Sequence, residues 1–298
     1  MDPRNINFGI QIRTQGPQST QRMILDCTKI AEETGFEELY VVDHIAIPPD
    51  DVEGSDGRYL DPLSVLNYLA AQTQEIALCT GVLVLPYRPI LPTAKVVATL
   101  QELSGNRLKL GLGVGWMNPE FKALGIDRSK RGRLFNEGLE FLNQAFSSDC
   151  IAENGQEFMF LPRPSRPPLL IGGTPEYAFD RAVTYGEGWI PIVGRNLEKF
   201  RAPISELRER FFEADKGAPE IAIFTRLAYE ESAKISDQIG QMNDIGVTSI
   251  IHGGVRYRDS SEFFDIASAI KVARSKYCLL YTSPSPRDLS TSRMQSSA

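Results

Sequence analysis

The amino-acid sequence predicts an α/β protein folded as a single-domain (β/α)8 TIM barrel. Three observations lead to this prediction: short apolar runs alternate with helix-length amphipathic stretches, there are eight of each, and the chain has 298 residues. Strands that helices cover on both faces give continuous apolar runs, and the runs here are mostly continuous. Eight such units in a chain of this length favour a closed barrel over an open doubly wound sheet.

Each apolar run is a predicted strand, and one predicted helix with amphipathic periodicity follows it. The predicted strands cover residues 6–12, 39–42, 76–85, 108–114, 169–171, 188–193, 221–227 and 247–251. The predicted helices cover residues 21–34, 62–73, 93–103, 133–146, 175–185, 197–214, 236–245 and 262–274. Glycine follows four of these helices, where it can adopt the left-handed conformation that ends a helix: Gly35, Gly105, Gly186 and Gly246.

Three segments interrupt this alternation. Residues 48–60 and 116–130 are predicted long loops after the second and fourth strands, and residues 149–168 form an excursion that ends in a proline-rich stretch. Loops that follow strands lie at the C-terminal face of a barrel, where active sites are assembled. We therefore expect the first two loops to border the active site.

The end of the chain differs from the rest in composition. From Cys278 onward it is rich in serine, proline and arginine, and it has no periodicity after Tyr281, which predicts disorder. It also resembles a translated vector or adapter sequence. We therefore expect one domain over residues 1–276 and a disordered, artefactual tail over residues 277–298.

Composition excludes several classes of function. A net charge of −6 offers no long-range attraction to nucleic acid or to an anionic membrane. No apolar run approaches the ~20 residues of a membrane span, and the N-terminus has no signal-peptide pattern, so we expect a cytoplasmic protein. The four cysteines show no metal-binding spacing and are expected to be free thiols, and no metal site is expected: Cys27, Cys79, Cys150 and Cys278.

The two histidines of the chain are the first candidates for chemistry. Asp43 and His44 close the second predicted strand, and His252 ends the last one. A histidine at the mouth of a barrel has a pKa suited to proton transfer, but it can equally be a hydrogen-bonded anchor for a loop. Position alone leaves both roles open for His44. For His252, which two glycines follow, the structural role is favoured.

Two glycine-containing segments are candidates for ligand binding. The GLGVG run at residues 111–115 ends the fourth strand but lacks the spacing of a dinucleotide fold, so it indicates close approach of a loop to a ligand. Gly172 and Gly173 end the fifth strand, and Thr174 and Pro175 begin a predicted helix. Free backbone N–H groups and the helix dipole at such a start favour a phosphate. A tight turn that requires glycine is the alternative.

Basic and aromatic residues near these loops add further candidates. Arg131 and Arg133 could hold the negative tail of a cofactor, or they could be the solvated start of a helix. Trp116 and Trp189, the only tryptophans, both lie at strand ends. Either could be part of the core, although an aromatic side chain at a barrel mouth often forms the wall of an apolar planar site.

Three segments together resemble the luciferase-like flavin-dependent oxidoreductases (luciferase-like monooxygenases), and within that family the branch that uses the deazaflavin coenzyme F420. The segments are GFEELYVVDHIAIP, IALCTGVLVLPYRPILPTAKVVATLQELSGNRLKLGLGVGWMNPEFKALG and LLIGGTPEYAFDRAVTYGEGWIPI. The resemblance extends over about residues 6–270. The fold of this family is a (β/α)8 barrel, which agrees with the strand count.

The resemblance implies a role for several residues. Asp43 would contact the deazaflavin, and His44 would be the general acid or base. Gly81-Val82 would form a non-proline cis peptide, in a bulge of the third strand, that supports the back of the tricyclic ring. The segments that line the ring and bind the phosphate correspond to Gly113, Val114, Gly115, Trp116, Gly172 and Gly173.

The expected function is hydride transfer between F420 and a small organic substrate. The Asp-His pair favours F420, because the FMN-dependent branch typically has Glu-His or His-His in its place. An FMN-dependent monooxygenase that uses O2 is the alternative, and a non-catalytic flavin-binding barrel is a third possibility. Family analogy also implies a homodimer, whereas the substrate is not indicated by the sequence.

Overall fold

Eight parallel strands form a closed barrel in the computed structural model, which describes residues 6–191, 196–254 and 256–282. The barrel strands are β1 (Asn7–Gln11), β2 (Glu38–Val41), β3 (Ala77–Val84), β4 (Leu108–Gly113), β7 (Leu169–Gly172), β8 (Gly188–Ile190), β9 (Glu220–Thr225) and β10 (Ser249–His252). Two further strands, β5 (Cys150–Glu153) and β6 (Gln156–Met159), form a separate sheet. Around the barrel the strand order is β1-β2-β3-β4-β7-β8-β9-β10, and β10 pairs with β1. The predicted (β/α)8 barrel is confirmed.

Helices cover the outside of the barrel. They are α1 (Gln21–Thr34), α2 (Pro62–Ala70), α3 (Ile90–Leu103), α4 (Asn118–Ala123), α5 (Arg131–Ala145), α6 (Pro175–Tyr185), α7 (Arg201–Glu213), α8 (Ser232–Ile245) and α9 (Ser260–Thr282). Short 3-10 helices occupy Leu85–Tyr87, Arg128–Lys130 and Leu197–Phe200. Local sequence sets the ends of α1, because the Thr20 side chain accepts a hydrogen bond from Met23 N and Gly35 ends the helix with φ 85°.

Several details differ from the sequence-based expectations. Residues 116–130, predicted as a loop, contain α4 and a 3-10 helix, and the excursion over residues 149–168 contains the antiparallel hairpin of β5 and β6. Gly186 ends α6 with φ −114°, so the left-handed conformation expected there was wrong. Glycine is needed at this position because a Cβ would lie 2.7 Å from the Leu169 carbonyl oxygen.

The chain ends differ from expectation as well. Helix α9 continues to Thr282, beyond the domain boundary expected at residue 276. Residues 283–298 of the predicted tail lie outside the described residues, as do residues 192 and 193 of the sixth predicted strand. Cys27, Cys79 and Cys150 are free thiols. Within the described ranges, none of the helices is both long and apolar enough to span a membrane.

The barrel interior contains a layer of apolar side chains and a network of charged side chains. The apolar layer consists of side chains from alternate positions of the strands: Tyr40, Cys79, Leu170, Ile190, Ala222 and Ile251. The charged network lies toward the N-terminal ends of the strands, where Lys109 Nζ lies 2.5 Å from Glu38 Oε1 and 2.7 Å from Glu220 Oε1. Burial alone would lower the pKa of Lys109, but the two carboxylates outweigh it and raise that pKa above its usual value.

Two hydrogen bonds to Glu38 extend this charged network. Glu38 Oε2 accepts hydrogen bonds from Ser249 Oγ at 2.6 Å and from Tyr40 OH at 3.0 Å. Lys109 is therefore the cation that compensates two carboxylates inside the barrel. Since a buried charge without its partner is costly, the network fixes how β2, β4, β9 and β10 lie relative to one another.

Replacing Lys109 with methionine should destabilise the fold strongly, because Glu38 and Glu220 would then be buried without a cation. We expect the free energy of unfolding to fall by about 3–5 kcal/mol in urea titrations followed by circular dichroism. The matched control is Arg133→Met, which breaks the exposed pair of Arg133 with Glu137 and should change stability by less than about 0.5 kcal/mol. Equal effects of the two substitutions would contradict the assignment.

Candidate active site

The residues predicted to carry the chemistry gather at the C-terminal ends of β2, β3, β4 and β7. Asp43 and His44 follow β2 after one intervening residue, and the Gly81-Val82 peptide lies within β3. This is the face on which barrel enzymes place their reacting groups.

Asp43 is buried and holds an arginine. Its carboxylate binds Arg88 in a two-pronged ion pair, with Nη1 2.6 Å from Oδ2 and Nη2 2.8 Å from Oδ1, and it also accepts a hydrogen bond from Val84 N at 2.8 Å. Arg88 donates further to Asp61, the N-cap residue of α2. Asp43 therefore ties the ends of β2 and β3 to α2. Its predicted contact with a cofactor stays a prediction.

His44 forms a pair with Glu120, a residue of α4. The ring is 21% exposed, and its Nδ1 lies 3.0 Å from Glu120 Oε2, whose side chain is completely buried. Glu120 Oε1 accepts hydrogen bonds from Ile45 N at 2.6 Å and Ala46 N at 3.0 Å, and Tyr87 OH donates to Oε2 at 2.9 Å. One buried carboxylate thus holds both the ring of His44 and the backbone that follows it.

These contacts keep Glu120 ionised. Burial alone would raise its pKa, but the hydrogen bonds from His44, Ala46, Ile45 and Tyr87 together lower it to about 2. An ionised carboxylate can only accept hydrogen bonds, so His44 carries a proton on Nδ1 and Nε2 is the nitrogen left for proton exchange. This is the arrangement that orients a histidine as a general acid or base.

Aromatic side chains surround the exposed edge of His44. The ring of Tyr59 lies 4.8 Å from that of His44, and the ring of Trp116 lies 6.3 Å away in an edge-on orientation. Trp116 is 63% exposed, so the structure places it beside the candidate base with a free face toward solvent. That position suits the wall of a planar apolar site.

The part of the site that we call the glycine floor consists of Gly81, Val82 and Gly113. The Gly81-Val82 peptide is cis, and the pairing of β3 with β4 shifts register between Thr80 and Leu83, so both the cis peptide and the bulge are confirmed. A Cβ at Gly81 would lie 2.3 Å from Phe224 Cζ, and one at Gly113 would lie 2.6 Å from Val82 Cγ2. Close packing therefore requires glycine at both positions, beside the half-buried Val82, and the support of a tricyclic ring here stays a prediction.

The fifth-strand glycines lie next to this floor. A Cβ at Gly172 would be 3.4 Å from Val82 Cγ1, and Gly173 has φ 122°, where a side chain would be strained. Thr174 precedes α6, Pro175 occupies its first turn as predicted, and the Thr174 side chain makes no capping hydrogen bond within the described chain. Backbone N–H groups at this helix start are therefore suited to a phosphate.

Trp189 does not form a wall of the site. It is buried in the outer core against Phe179 and Phe200, because its position in β8 points the side chain toward the helices. The predicted direct contact of Trp189 with a cofactor is corrected accordingly. Its Nε1 donates to the Gly173 carbonyl oxygen at 2.8 Å, so it positions the glycine turn instead.

The remaining predicted residues have mixed surroundings. Val114 packs against the core, and Gly115 makes a turn with φ 78°, so their contact with a cofactor stays a prediction. Arg131 starts α5, and its Nη1 donates to the Arg128 carbonyl oxygen at 3.1 Å. The start of α5 is near α6, because Arg181 Nε donates to Asn136 Oδ1 at 2.6 Å. A role of Arg131 toward a phosphate tail remains compatible with this position.

His252 has the structural surroundings that the sequence favoured. It is buried, its Nδ1 accepts a hydrogen bond from Leu227 N at 3.1 Å, and Tyr229 packs edge-on against it. Burial, reinforced by the charge of Arg226, lowers its pKa to about 3, so the ring is neutral at physiological pH. Its strand neighbour Ile251 faces the barrel interior, so His252 faces the helices.

Sequence reasoning missed Glu120, Arg88 and Tyr59. Glu120 is 76 positions from His44 and Arg88 is 45 positions from Asp43, so no local spacing connects them. Tyr59 belongs to the loop after β2 that was expected to border the site, but its polar surroundings singled out no residue. Only the closure of the barrel brings these groups together.

Comparison with known proteins defines the class. The luciferase-like monooxygenase family model matches residues 6–264, and the chain belongs to this family. An uncharacterized protein of Mycobacterium tuberculosis is 29% identical over 76% of this chain and 82% of its own length. The FMNH2-dependent dimethylsulfone monooxygenase of Pseudomonas putida is 25% identical over 61% of this chain and 51% of its own length.

Solved structures share the fold at lower sequence identity. The monooxygenase RslO1 of Streptomyces bottropensis superposes with a TM-score of 0.77 at 19% identity, over 93% of this chain and all of that one. The coenzyme F420-dependent tetrahydromethanopterin reductase of Methanopyrus kandleri gives a TM-score of 0.69 at 17% identity, over 88% and 97% of the two chains. The fold is thus common to a monooxygenase and to an F420-dependent reductase.

The Glu120 contacts predict a pH-dependent stability. The pKa of Glu120 is lowered in the folded protein, so its contribution is present above the unfolded value near 4.5 and is lost as pH falls toward about 2. Glu120→Gln should therefore cost ~2–3 kcal/mol of unfolding free energy near pH ~6, and this difference from wild type should shrink near pH ~3. Urea titrations at several pH values measure it.

The exposed Glu137→Gln substitution is the control for this pH series, since that carboxylate has only a surface ion pair with Arg133. It should give the same pH profile as wild type. A Glu120→Gln profile parallel to that of wild type would show that the buried carboxylate is not the titrating group.

Proposed function

We propose that this chain is an oxidoreductase that transfers a hydride between coenzyme F420 and a small organic substrate, with His44 as the proton donor or acceptor. The observation that carries the proposal is the pair of His44 and buried Glu120 on the same face of the barrel as the glycine floor. When bound over that floor, the deazaflavin would supply the carbon that gives or accepts a hydride. The protein would supply position and a proton.

The residues of the site divide this work. Val82, Gly113 and Gly172 would support one face of the ring, and the start of α6 would hold the phosphate. Trp116 would cover the space beside His44 and limit the access of water.

Proton transfer follows from the His44 geometry. Addition of a hydride to a carbonyl carbon leaves negative charge on the carbonyl oxygen, which the proton on His44 Nε2 neutralises. The Nδ1 proton stays on the hydrogen bond to Glu120, and this carboxylate stabilises the ring while it is charged. In the opposite direction, Nε2 removes the proton from a substrate hydroxyl group.

The choice of F420 rests on the Asp43-His44 pair, which is typical of the deazaflavin branch. A second candidate is an FMN-dependent monooxygenase that uses O2, and the Pseudomonas putida relative favours it because its FMNH2 dependence comes with 25% identity to this chain. The presence of the Asp43-His44 pair argues against a non-catalytic flavin-binding barrel. The proposed setting is a cytoplasmic homodimer, which family analogy alone supports.

Substitution of His44 tests the proton-transfer role. His44→Gln should lower kcat by about 10²–10⁴ while the Kd of the cofactor changes by no more than a few fold, because the ring is lost and the glycine floor is intact. Steady-state rates and fluorescence titration give the two numbers. The matched control is His252→Gln, at the buried histidine outside the site, whose kcat per folded molecule should match wild type.

If His44→Gln retains wild-type turnover, His44 is not the acid or base. If the activity of His44→Gln falls only in proportion to its loss of cofactor binding, the role of His44 is to hold the cofactor.

Direct titration distinguishes the two cofactors. Apoprotein titrated with F420 and, separately, with FMN should bind F420 more tightly, as followed by the fluorescence of each cofactor. Riboflavin, which lacks the phosphate, should bind more weakly than FMN if the start of α6 holds the phosphate. Tighter binding of FMN than of F420 would favour the monooxygenase instead.

A further inference from the structure

A cavity opens on the same face of the barrel, away from the glycine floor. Its volume is about 480 Å³, and it lies among the segments that follow three neighbouring strands, β10, β1 and β2. Arg13, Arg256 and Arg258 line it together with Asp56 and Glu262. We call it the Arg13 cavity.

Arg13 is a buried cation without a counter-ion. The residue is 8% exposed, and its Nη2 donates one hydrogen bond, to the Gly54 carbonyl oxygen at 2.9 Å. Its Nε has no hydrogen-bond partner, and Arg13 forms no ion pair within the described part of the chain. A buried guanidinium that lacks an anion is costly to the fold, and proteins normally pair such a group.

A second guanidinium lies on the same glycine. A Cβ at Gly54 would be 3.3 Å from Arg256 Nη2, while Arg13 bonds the carbonyl of that residue. Arg13 and Arg256 therefore both lie against Gly54, although like charges repel. Arg256 is exposed and has no ion pair with any described residue.

The carboxylates of the cavity do not neutralise these two arginines. Glu262 accepts from Arg258, with Nε 3.1 Å from Oε2, and so is already paired. Asp56 is exposed and forms no ion pair among the described residues. In the segment after β1 that contains Arg13, two further polar atoms are buried without hydrogen-bond partners, namely Thr14 Oγ1 and Gln18 Oε1.

We propose that the Arg13 cavity binds the anionic group, a carboxylate or a phosphate, of a small molecule. Arg13 and Arg256 donate to its oxygens, since guanidinium groups match the geometry of such anions. An anion between them offsets the burial of Arg13 and the repulsion between the two arginines. Nothing in the proposed catalytic site accounts for these residues.

The cavity is connected to the catalytic pair through the backbone. Gln15 forms a β-bridge with Tyr59, and the Tyr59 ring packs on His44. Arg13 is two residues from Gln15, roughly 7 Å along an extended chain. A substrate with an acid group could therefore span both places, an assignment that rests on the proposed function, whereas anion binding itself does not.

Titration with inorganic phosphate tests the site in the full-length protein without cofactor. We expect saturable binding by calorimetry and a rise in Tm that chloride at equal ionic strength does not reproduce. Arg13→Gln should weaken the binding of phosphate in the Arg13 cavity at least about tenfold, and Arg256→Gln should weaken it by several fold. Phosphate bound at the start of α6 is unaffected by these substitutions, so the difference between variants isolates the Arg13 cavity.

Two controls make the result decisive. Arg22→Gln removes an exposed arginine of α1, paired only with Asp26, and should leave phosphate binding unchanged. Arg13→Lys keeps the positive charge but lacks the paired N–H donors of a guanidinium group. It should bind phosphate with an affinity between those of wild type and Arg13→Gln. Wild-type affinity in Arg13→Gln, or no phosphate binding that depends on Arg13, overturns the proposal.

Failure of the proposed function gives a different result. His44→Gln should bind phosphate as wild type does, because His44 is outside the cavity. Once turnover is measured, Arg13→Gln should raise KM with little change in kcat if the anion is the acid group of the substrate. An unchanged KM, with phosphate binding lost, identifies a separate anion that binds at the same site.

Discussion

The catalytic face depends on one buried carboxylate. Glu120 accepts hydrogen bonds from the ring of His44, from the backbone N–H groups of Ile45 and Ala46, and from the hydroxyl of Tyr87. An ionised carboxylate in this position would be costly without partners, and four donors compensate it. Because those donors come from the segment after β2 and from the 3-10 helix after β3, the same contacts fix the loops that border the site.

The floor of the site follows from a different constraint, the space available for a Cβ. Gly81 lies against Phe224, and Gly113 lies against Val82, at separations where no side chain fits. The bulge between Thr80 and Leu83 places Val82 at this surface. The glycine floor thus depends on close packing, whereas the orientation of His44 depends on hydrogen bonding. The two constraints meet at the ends of β2, β3 and β4.

Much of the fold could be predicted because it is local. Helix α1 covers the residues that the periodicity predicted and ends at Gly35. The apolar runs identify the barrel strands because a strand covered on both faces needs apolar side chains at every position. The excursion over residues 149–168 hid a hairpin. Its exposed strands have little hydrophobic pattern, so periodicity could not reveal them.

The site could be predicted only where adjacent residues share a role. His44 was found because it ends a strand, and the Gly81-Val82 peptide was expected from the family resemblance. Trp189 also ends a strand, yet it faces the helices, because alternation along a strand as short as β8 cannot be read from the sequence. Glu120 could not be found at all, since its partners come from segments that only the folded barrel brings together.

Charge compensation unites the buried polar groups of this barrel. Lys109 is paired with two carboxylates near the N-terminal ends of the barrel strands, and Glu120 is held by four hydrogen-bond donors at the C-terminal mouth of the barrel. Asp43 is matched by Arg88. Arg13 is the contrasting case among the described residues: it is as buried as these groups and lies on the face where ligands bind, but protein groups leave it uncompensated. In a barrel that otherwise neutralises its interior charges, such a cation is best explained by a ligand that brings the missing negative charge.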